Sequence, residues 1–392
     1  MLAAACLTKE AARSAKSTRP GERRLQGERP VEVPAAKQLF HCFWQGTPSL
    51  KVVLMALSFL YTQRLDESCL LIWLELPDKQ SIEEALADSP VARSLLEYSP
   101  FIEIRVWNER EQFHDTPFER LENVPDWAPG YSDMVRFFLG WKYGGLYVDV
   151  DVLFLRDFGP LLSAPFDFAY QWSIHDFFNT AILGLTKGSP VALAMVEHAM
   201  KVGSPKGFHP HQVLEATLAA ELPQIVPIDP FRNDKWRGVF DSLSHSGSSL
   251  QCPYEAAFLH SDAECPEPVC EFEVAPEQKR TFVMLPNDIF DPMWIYIERG
   301  GNAPDHSVEV MEGEDSLRFD RFFTDRPSNM SSNCMGFFDG AYAYHWHNGW
   351  DTPCVPDSVC GHYWLCYTNF LRGLHPNIYG EMYLRSNATS RK

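Results

Sequence analysis

The sequence predicts an α/β fold in which a parallel sheet is covered by helices on both faces. Three observations predict it. Short apolar runs alternate with segments of helical periodicity. Those runs are apolar at nearly every position, as a strand must be when both its faces are buried. The 392 residues are 45% hydrophobic and 22% charged, enough apolar surface for a large core.

Leu39-Phe40-His41-Cys42-Phe43-Trp44 reads as the first strand, and Gln45-Gly46-Thr47-Pro48 ends it. Leu50, Val53, Leu54, Leu57 and Leu60 recur at helical spacing within residues 49–63. Residues 69–74 form a second apolar strand that Pro77-Asp78 breaks, residues 81–97 read as a helix, and residues 101–107 as a third strand. Strand, helix, strand, helix, strand is the pattern of parallel strands joined by crossover helices. Residues 132–143 read as a helix capped by Ser132, with Asp133 in its first turn where negative charge is favoured. Gly144-Gly145 ends it, and one long strand over residues 146–155 follows. Residues 166–172 and 180–185 read as further strands and 189–202 as a helix. Beyond about residue 205 Gly, Pro, Cys and aromatic residues mix, and only 281–285 and 341–346 stand out as strands.

The net charge of −18 argues against a nucleic-acid partner, since phosphate binding needs dense Lys and Arg. An anionic ligand would need a divalent cation in its place. Ten cysteines permit disulfides; Cys252, Cys265 and Cys270 are close in sequence, as are Cys354, Cys360 and Cys366. A zinc site is the competing reading, weakened by the lack of any CxxC pair. Asn329-Met330-Ser331 and Asn387-Ala388-Thr389 fit the glycosylation acceptor pattern. No run of 18 apolar residues occurs, so no transmembrane helix is expected, and Met1 to Leu7 is too short for a signal peptide. Residues 1–36 read as a flexible leader or tail.

The chemistry centres on Tyr143-Gly144-Gly145-Leu146-Tyr147-Val148-Asp149-Val150-Asp151-Val152. On a strand Asp149 and Asp151 share a face, about 7 Å apart at Cα, while Leu146, Val148, Val150 and Val152 bury the other. Two ionised carboxylates so placed repel unless a cation lies between them. Oxygen ligands suit Mn²⁺ or Mg²⁺, and such an ion can bridge a diphosphate and stabilise it as a leaving group. His345 supplies a third candidate ligand, and His347 is a weaker one; each could equally be a packed or surface histidine. Asp133 and Arg136 are i,i+3 neighbours, which fits an ordinary helix salt bridge or a guanidinium aimed at a phosphate or carboxylate. Trp44, Trp107, Trp346 and Trp350 are core residues or stacking platforms for a base or sugar.

Ser132-Asp133-Met134-Val135-Arg136 followed by Tyr143 to Asp151 resembles the signature of the glycosyltransferases with a DXD sugar-binding region. That family includes fungal Golgi α-1,6-mannosyltransferases and is related to α-1,4-galactosyl- and N-acetylglucosaminyltransferases. A looser resemblance runs from His41-Cys42-Phe43-Trp44, through Asn179, to Tyr344-His345-Trp346-His347-Asn348-Gly349-Trp350. The resemblance implies the nucleotide-sugar transferase fold GT-A, a mixed, mostly parallel sheet with a Rossmann-like N-terminal half. Residues 37–205 would then form the nucleotide-sugar-binding part of one catalytic domain, and 206–392 its acceptor-side and C-terminal part. It implies hexose transfer of the retaining kind from a UDP- or GDP-hexose to a glycan, glycolipid or protein-linked acceptor, in the secretory pathway and its Golgi lumen. Trp44, Ser132, Asp133, Arg136, Gly145, Asp149 and Asn179 would bind the donor, and Asp149, Asp151 and His345 would hold the Mn²⁺ or Mg²⁺.

This chain departs from the family at Gly207-Phe208-His209-Pro210 and before Trp350, which bears on the acceptor more than the donor. No catalytic base or nucleophile is identifiable. Two other readings compete. A haloacid dehalogenase-type phosphatase also ends an apolar strand in Asp-x-Asp, with the first Asp as nucleophile. A non-catalytic sugar-nucleotide or glycan-binding protein would keep the pocket without turnover.

Overall fold

The computed structural model describes residues 38–76, 81–87, 89–164, 166–172, 178–203, 207–209, 212–213, 215–216, 225–228, 269–273, 281–285, 287–291, 319, 322–324 and 341–383. The leader, Cys252, Cys265, Pro210 and both glycosylation patterns lie outside the described residues.

Strands β1 (Gln38–Gln45), β2 (Ser68–Glu75), β3 (Ile102–Val106) and β4 (Gly145–Val148) are the expected parallel half of the sheet. β5 (Val152–Phe154) follows, then β6 (Phe166–Gln171), β7 (Phe178–Leu185), β8 (Ile225–Ile228), β9 (Val269–Glu273), β10 (Thr281–Leu285) and β11 (Ala343–His345). One nine-stranded sheet has the order β3-β2-β1-β4-β7-β6-β10-β9-β8, and β5 pairs with β11 in a separate two-stranded ribbon. β7 runs antiparallel to both β4 and β6, whereas β10 is parallel to β6, so the sheet is mixed.

Both faces are buried, as the unbroken apolar strands require. Phe40, Cys42, Leu70 and Ile72 pack on one side with helix α1 (Leu50–Thr62). Leu39, Phe43, Leu71 and Trp73 pack on the other with α2 (Ala128–Tyr143) and α3 (Pro190–Val202). His41 sits in this interior as a neutral imidazole. Burial pulls its pKa down to about 4, against the hydrogen bond between Nε2 and the Gly144 carbonyl.

Three sequence expectations are corrected. The helix over 81–97 is three pieces, Ile82–Ala87, Pro90–Arg93 and the 3₁₀ turn Ser94–Tyr98. Pro90 disfavours helical backbone at Ser89, which becomes an N-cap and accepts from the Ala92 amide. The helix expected to begin at Ser132 begins a turn earlier at Ala128, with Pro129 in its first turn. Ser132 is therefore not a cap, and Asp133 lies beyond the first turn. The strand expected over 146–155 is interrupted: β4 ends at Val148, and a turn closed by the Val152 amide on the Asp149 carbonyl (3.2 Å) redirects the chain into β5. The sequence assigned no element near Cys354, Cys360 and Cys366, and the structure places a helix there, α4 (Val359–Leu371). Ser358 caps it, accepting from the Gly361 amide, and a Cys354–Cys360 disulfide staples its start. Among the described residues no helix is long and apolar enough to cross a membrane.

Candidate metal and donor site

The two aspartates stand where the chain leaves one sheet for the other. The Asp149 amide still donates to Ala181 of β7 at 2.7 Å, extending the β4–β7 ladder by one bond. The Asp151 carbonyl accepts from the Trp346 amide at 3.0 Å, and Val152 pairs with His345 in the ribbon. That register brings a histidine from nearly 200 residues away to the motif. Ligand atoms of Asp149, Asp151 and His345 all lie within 4.8 Å of one another. Val148, Val150 and Val152 still bury together in one core, so the apolar alternation survives the turn.

Each carboxylate has its own environment. Arg136 Nη2 donates to both oxygens of Asp149, at 3.0 and 3.2 Å, and pairs with Asp133 at 2.9 Å. Its Nη1 donates to the Thr180 hydroxyl at 2.8 Å, and its Nε is buried without a hydrogen-bond partner among the described residues. Asp151 Oδ2 accepts from the Asn348 amide at 2.8 Å, and Oδ1 lies 3.3 Å from His345 Nε2. Burial pushes Asp133 up to about 7, against the pull of Arg136. Burial also raises Asp149, opposed by Arg136 and reinforced by the charge of Asp151. Burial works to raise Asp151 too, yet the neighbouring His345 holds it well below the usual carboxylate range. In turn His345, which burial alone would lower, is lifted to about 8 by Asp151.

The donor set fits a hard divalent cation. Two carboxylates and one imidazole match Mn²⁺ or Mg²⁺ chemistry. Oxygen ligands about 2.1 Å from an octahedral ion lie roughly 3 Å from their neighbours. The 3.3 Å gap between Asp151 Oδ1 and His345 Nε2 is close to that spacing.

The other residues singled out from sequence divide by position. Ser132 Oγ lies 3.2 Å from the Tyr147 hydroxyl on the α2–β4 face. Asn179, beside Thr180 on β7, accepts from the Ala181 amide through Oδ1 at 2.8 Å. Trp44, next to the last residue of β1 at the aspartate end of the sheet, packs against Trp350, ring centroids 4.9 Å apart. Trp107 is a core residue that donates to the Tyr131 hydroxyl, and Trp346 is fully buried. Gly145 is not brought to this cluster. It starts β4 at the opposite end, beside a cleft lined by Gln38, Leu39, Tyr143 and Lys187. Its φ is +102°, and a Cβ there would lie 2.2 Å from the Leu39 carbonyl oxygen, so glycine is required by backbone approach.

Sequence reasoning missed Asp291, Tyr170 and Asn348. Asp291 Oδ2 accepts from His347 Nε2 at 2.5 Å, and the Tyr170 hydroxyl lies 3.1 Å from His345 Nδ1. The one sequence signal was an acid set in the apolar stretch Ile289-Phe290-Asp291-Pro292-Met293-Trp294.

Residues 86–167 match the family described as glycosyltransferase sugar-binding region containing DXD motif. About a fifth of the chain is thus similar to that sugar-binding region. This region holds Ser132, Asp133, Arg136, Gly145, Asp149 and Asp151, but neither Trp44, Asn179 nor His345. The chain is 39% identical over 70 residues to the lactosylceramide 4-alpha-galactosyltransferase of Rattus norvegicus. That similarity covers 16% of this chain and 19% of the rat protein, so the chain spans about a fifth of that relative's length. Among solved structures, the PaToxG glycosyltransferase is 14% identical with a TM-score of 0.34, over 53% of this chain and 75% of its own. The galactosyltransferase LgtC, solved with donor and acceptor sugar analogs, is 14% identical with a TM-score of 0.31, over 45% and 69%.

Proposed function

We propose that this protein is a metal-dependent glycosyltransferase that moves a hexose from a UDP- or GDP-sugar to a glycan, glycolipid or protein-linked acceptor, with retention at the anomeric carbon. The observation that carries this reading is the convergence of Asp149, Asp151 and His345 inside and beside a DXD sugar-binding region. Asp151 and His345 are the residues that would take Mn²⁺ or Mg²⁺, which supplies charge to stabilise a departing diphosphate. Arg136 already grips both oxygens of Asp149, so Asp149 would serve chiefly to hold that guanidinium and to meet the donor's ribose or sugar.

The chain's own residues prepare the site for an anion. Arg136 is 6% exposed and keeps its charge in a region from which water is largely excluded, where a fixed cation acts more strongly than in solvent. Trp44, half-buried near the end of β1, would offer a flat surface for a base at the aspartate end of the sheet. Ser132, Asp133 and Asn179 would complete the donor's surroundings. The Cys354–Cys360 disulfide supports an oxidising compartment, in keeping with the secretory pathway and Golgi lumen.

The test is release of nucleotide from a panel of UDP- and GDP-hexoses with Mn²⁺, with and without EDTA. Release that EDTA abolishes is the expected result. Tight donor binding without release would mark a binding protein. Phosphate released from sugar phosphates, with the nucleotide sugars untouched, would mark a phosphatase.

A further inference from the structure

We propose that Asp291 is a positioning residue for His345. Together with Tyr170 it keeps the proton on Nδ1 and leaves the Nε2 lone pair facing Asp151 for the divalent ion. This rests on the reading that Asp151 and His345 take that ion.

A neutral imidazole carries one N–H, and the partner of one nitrogen decides which atom is free at the other. Nε2 of His345 faces the carboxylate of Asp151 at 3.3 Å. Nδ1 faces the Tyr170 hydroxyl at 3.1 Å, with Asp291 Oδ2 next at 3.7 Å. A hydroxyl can accept a proton donor, and a carboxylate behind it rewards a protonated Nδ1. The same oxygen of Asp291 accepts from His347 Nε2 at 2.5 Å. The His347 ring lies against His345, centroids 3.7 Å apart and 28° from parallel, so Asp291 also clamps the ring that sets the His345 plane.

Two further observations separate this role from plain packing. Asp291 is 1% exposed, and its Oδ1 is buried without a partner among the described residues. A half-satisfied buried carboxylate is unfavourable, and a merely structural position would be better filled by an amide or an apolar group. In addition, His347 and Asn348 hold positive φ, 44° and 72°, just before Gly349 at 61°. This strained turn is tied down at His347 by Asp291 and at Asn348 by the hydrogen bond its backbone N–H donates to Asp151 Oδ2. Asp291 thus anchors both the imidazole and the backbone donor that orient the metal-facing groups.

The test compares the full chain with Asp291→Asn and Tyr170→Phe. Mn²⁺ affinity is read from the electron paramagnetic resonance signal of free Mn²⁺, without any donor, alongside thermal melting in EDTA. Asp291→Asn should weaken Mn²⁺ binding by about 10- to 100-fold, and Tyr170→Phe should weaken it in the same direction, while melting in EDTA changes little. If Asp291→Asn does not fold, the Tyr170→Phe measurement decides the matter. Affinity within twofold of wild type in the folded variants would overturn the proposal while leaving the metal site standing, provided Asp151→Asn loses Mn²⁺. Wild-type protein that binds no Mn²⁺ would overturn the site and this inference together.

Discussion

The guanidinium of Arg136 reaches both carboxylate oxygens of Asp149, at 3.0 and 3.2 Å, from a helix thirteen residues earlier in the chain. It reaches Asp133 and Thr180 as well, so one buried cation is shared by two buried acids. Removing one partner of a buried ion pair leaves an uncompensated charge. Arg136→Ala should therefore lower stability by about 3–5 kcal/mol. Arg136→Lys should fall between, because a single ammonium cannot span both oxygens. Urea unfolding measures this, and an unshifted midpoint for the alanine variant would rule out ionised partners.

Among the described residues, the cationic partner of Asp151 at hydrogen-bonding range is His345, and the ion would lie between the two. Asp151→Asn should weaken Mn²⁺ binding by more than about 100-fold, beyond the loss typical of an outer-layer partner. It should also abolish nucleotide release and lower the melting temperature in EDTA at neutral pH, because buried His345 loses its counter-charge. Calorimetric titration with Mn²⁺ reads the first effect directly.

The raised pKa of His345, about 8, has two consequences of opposite sign. In metal-free protein the proton favours the fold, so this contribution is complete below the unfolded value near 6.5 and disappears as pH rises through about 8. The ion needs that proton gone, so Mn²⁺ affinity should climb with pH and level off above about 8. An affinity flat between pH 6 and 9 would exclude His345 as a ligand.

His41 predicts the reverse for the fold. Its pKa is lowered to about 4, so its contribution is complete above 6.5 and is lost as pH falls from there to about 4. The full loss is about 3 kcal/mol by the usual conversion of pKa shift to free energy. Unfolding midpoints of wild type and His41→Gln across pH 4–7 would reveal it as a convergence of the two curves at low pH.

Gly145 and Gly188 form a controlled pair, both at positive φ. A Cβ at Gly145 meets the Leu39 carbonyl oxygen at 2.2 Å, whereas one at Gly188 meets nothing within 4 Å. Gly188→Ala should lose about 1–2 kcal/mol for the left-handed backbone alone. Gly145→Ala should lose clearly more, at least about 3 kcal/mol, because backbone must move. Equal melting temperatures would refute the close approach.

Much of the fold was legible because β1 and β2 are buried on both faces, and an unbroken apolar run has few other uses. The helix Pro190–Val202 was legible for the same kind of reason, through its capping Ser189 and first-turn Pro190. Helix α4 carried a readable spacing too, with Cys360, Tyr363, Tyr367 and Phe370 buried on one face. The break after Val148 was not legible, since Asp149-Val150-Asp151 alternates as well in a turn as in a strand. Asp291 gave almost no signal, because a single acid among apolar residues has no period.

The sequence alone determined the paired carboxylates, their apolar setting and the arginine one helix away, since these depend on local spacing and on what a buried strand tolerates. Only the tertiary structure decided that Arg136 is bound to Asp149 and that His345 faces Asp151. It likewise decided that Asp291 and Tyr170 stand behind that histidine. Those contacts join segments as far as 194 residues apart, His345 and Asp151, through the pairing of β11 with β5. Register between distant strands is set by the packing of the whole core, and no local pattern in the chain encodes it.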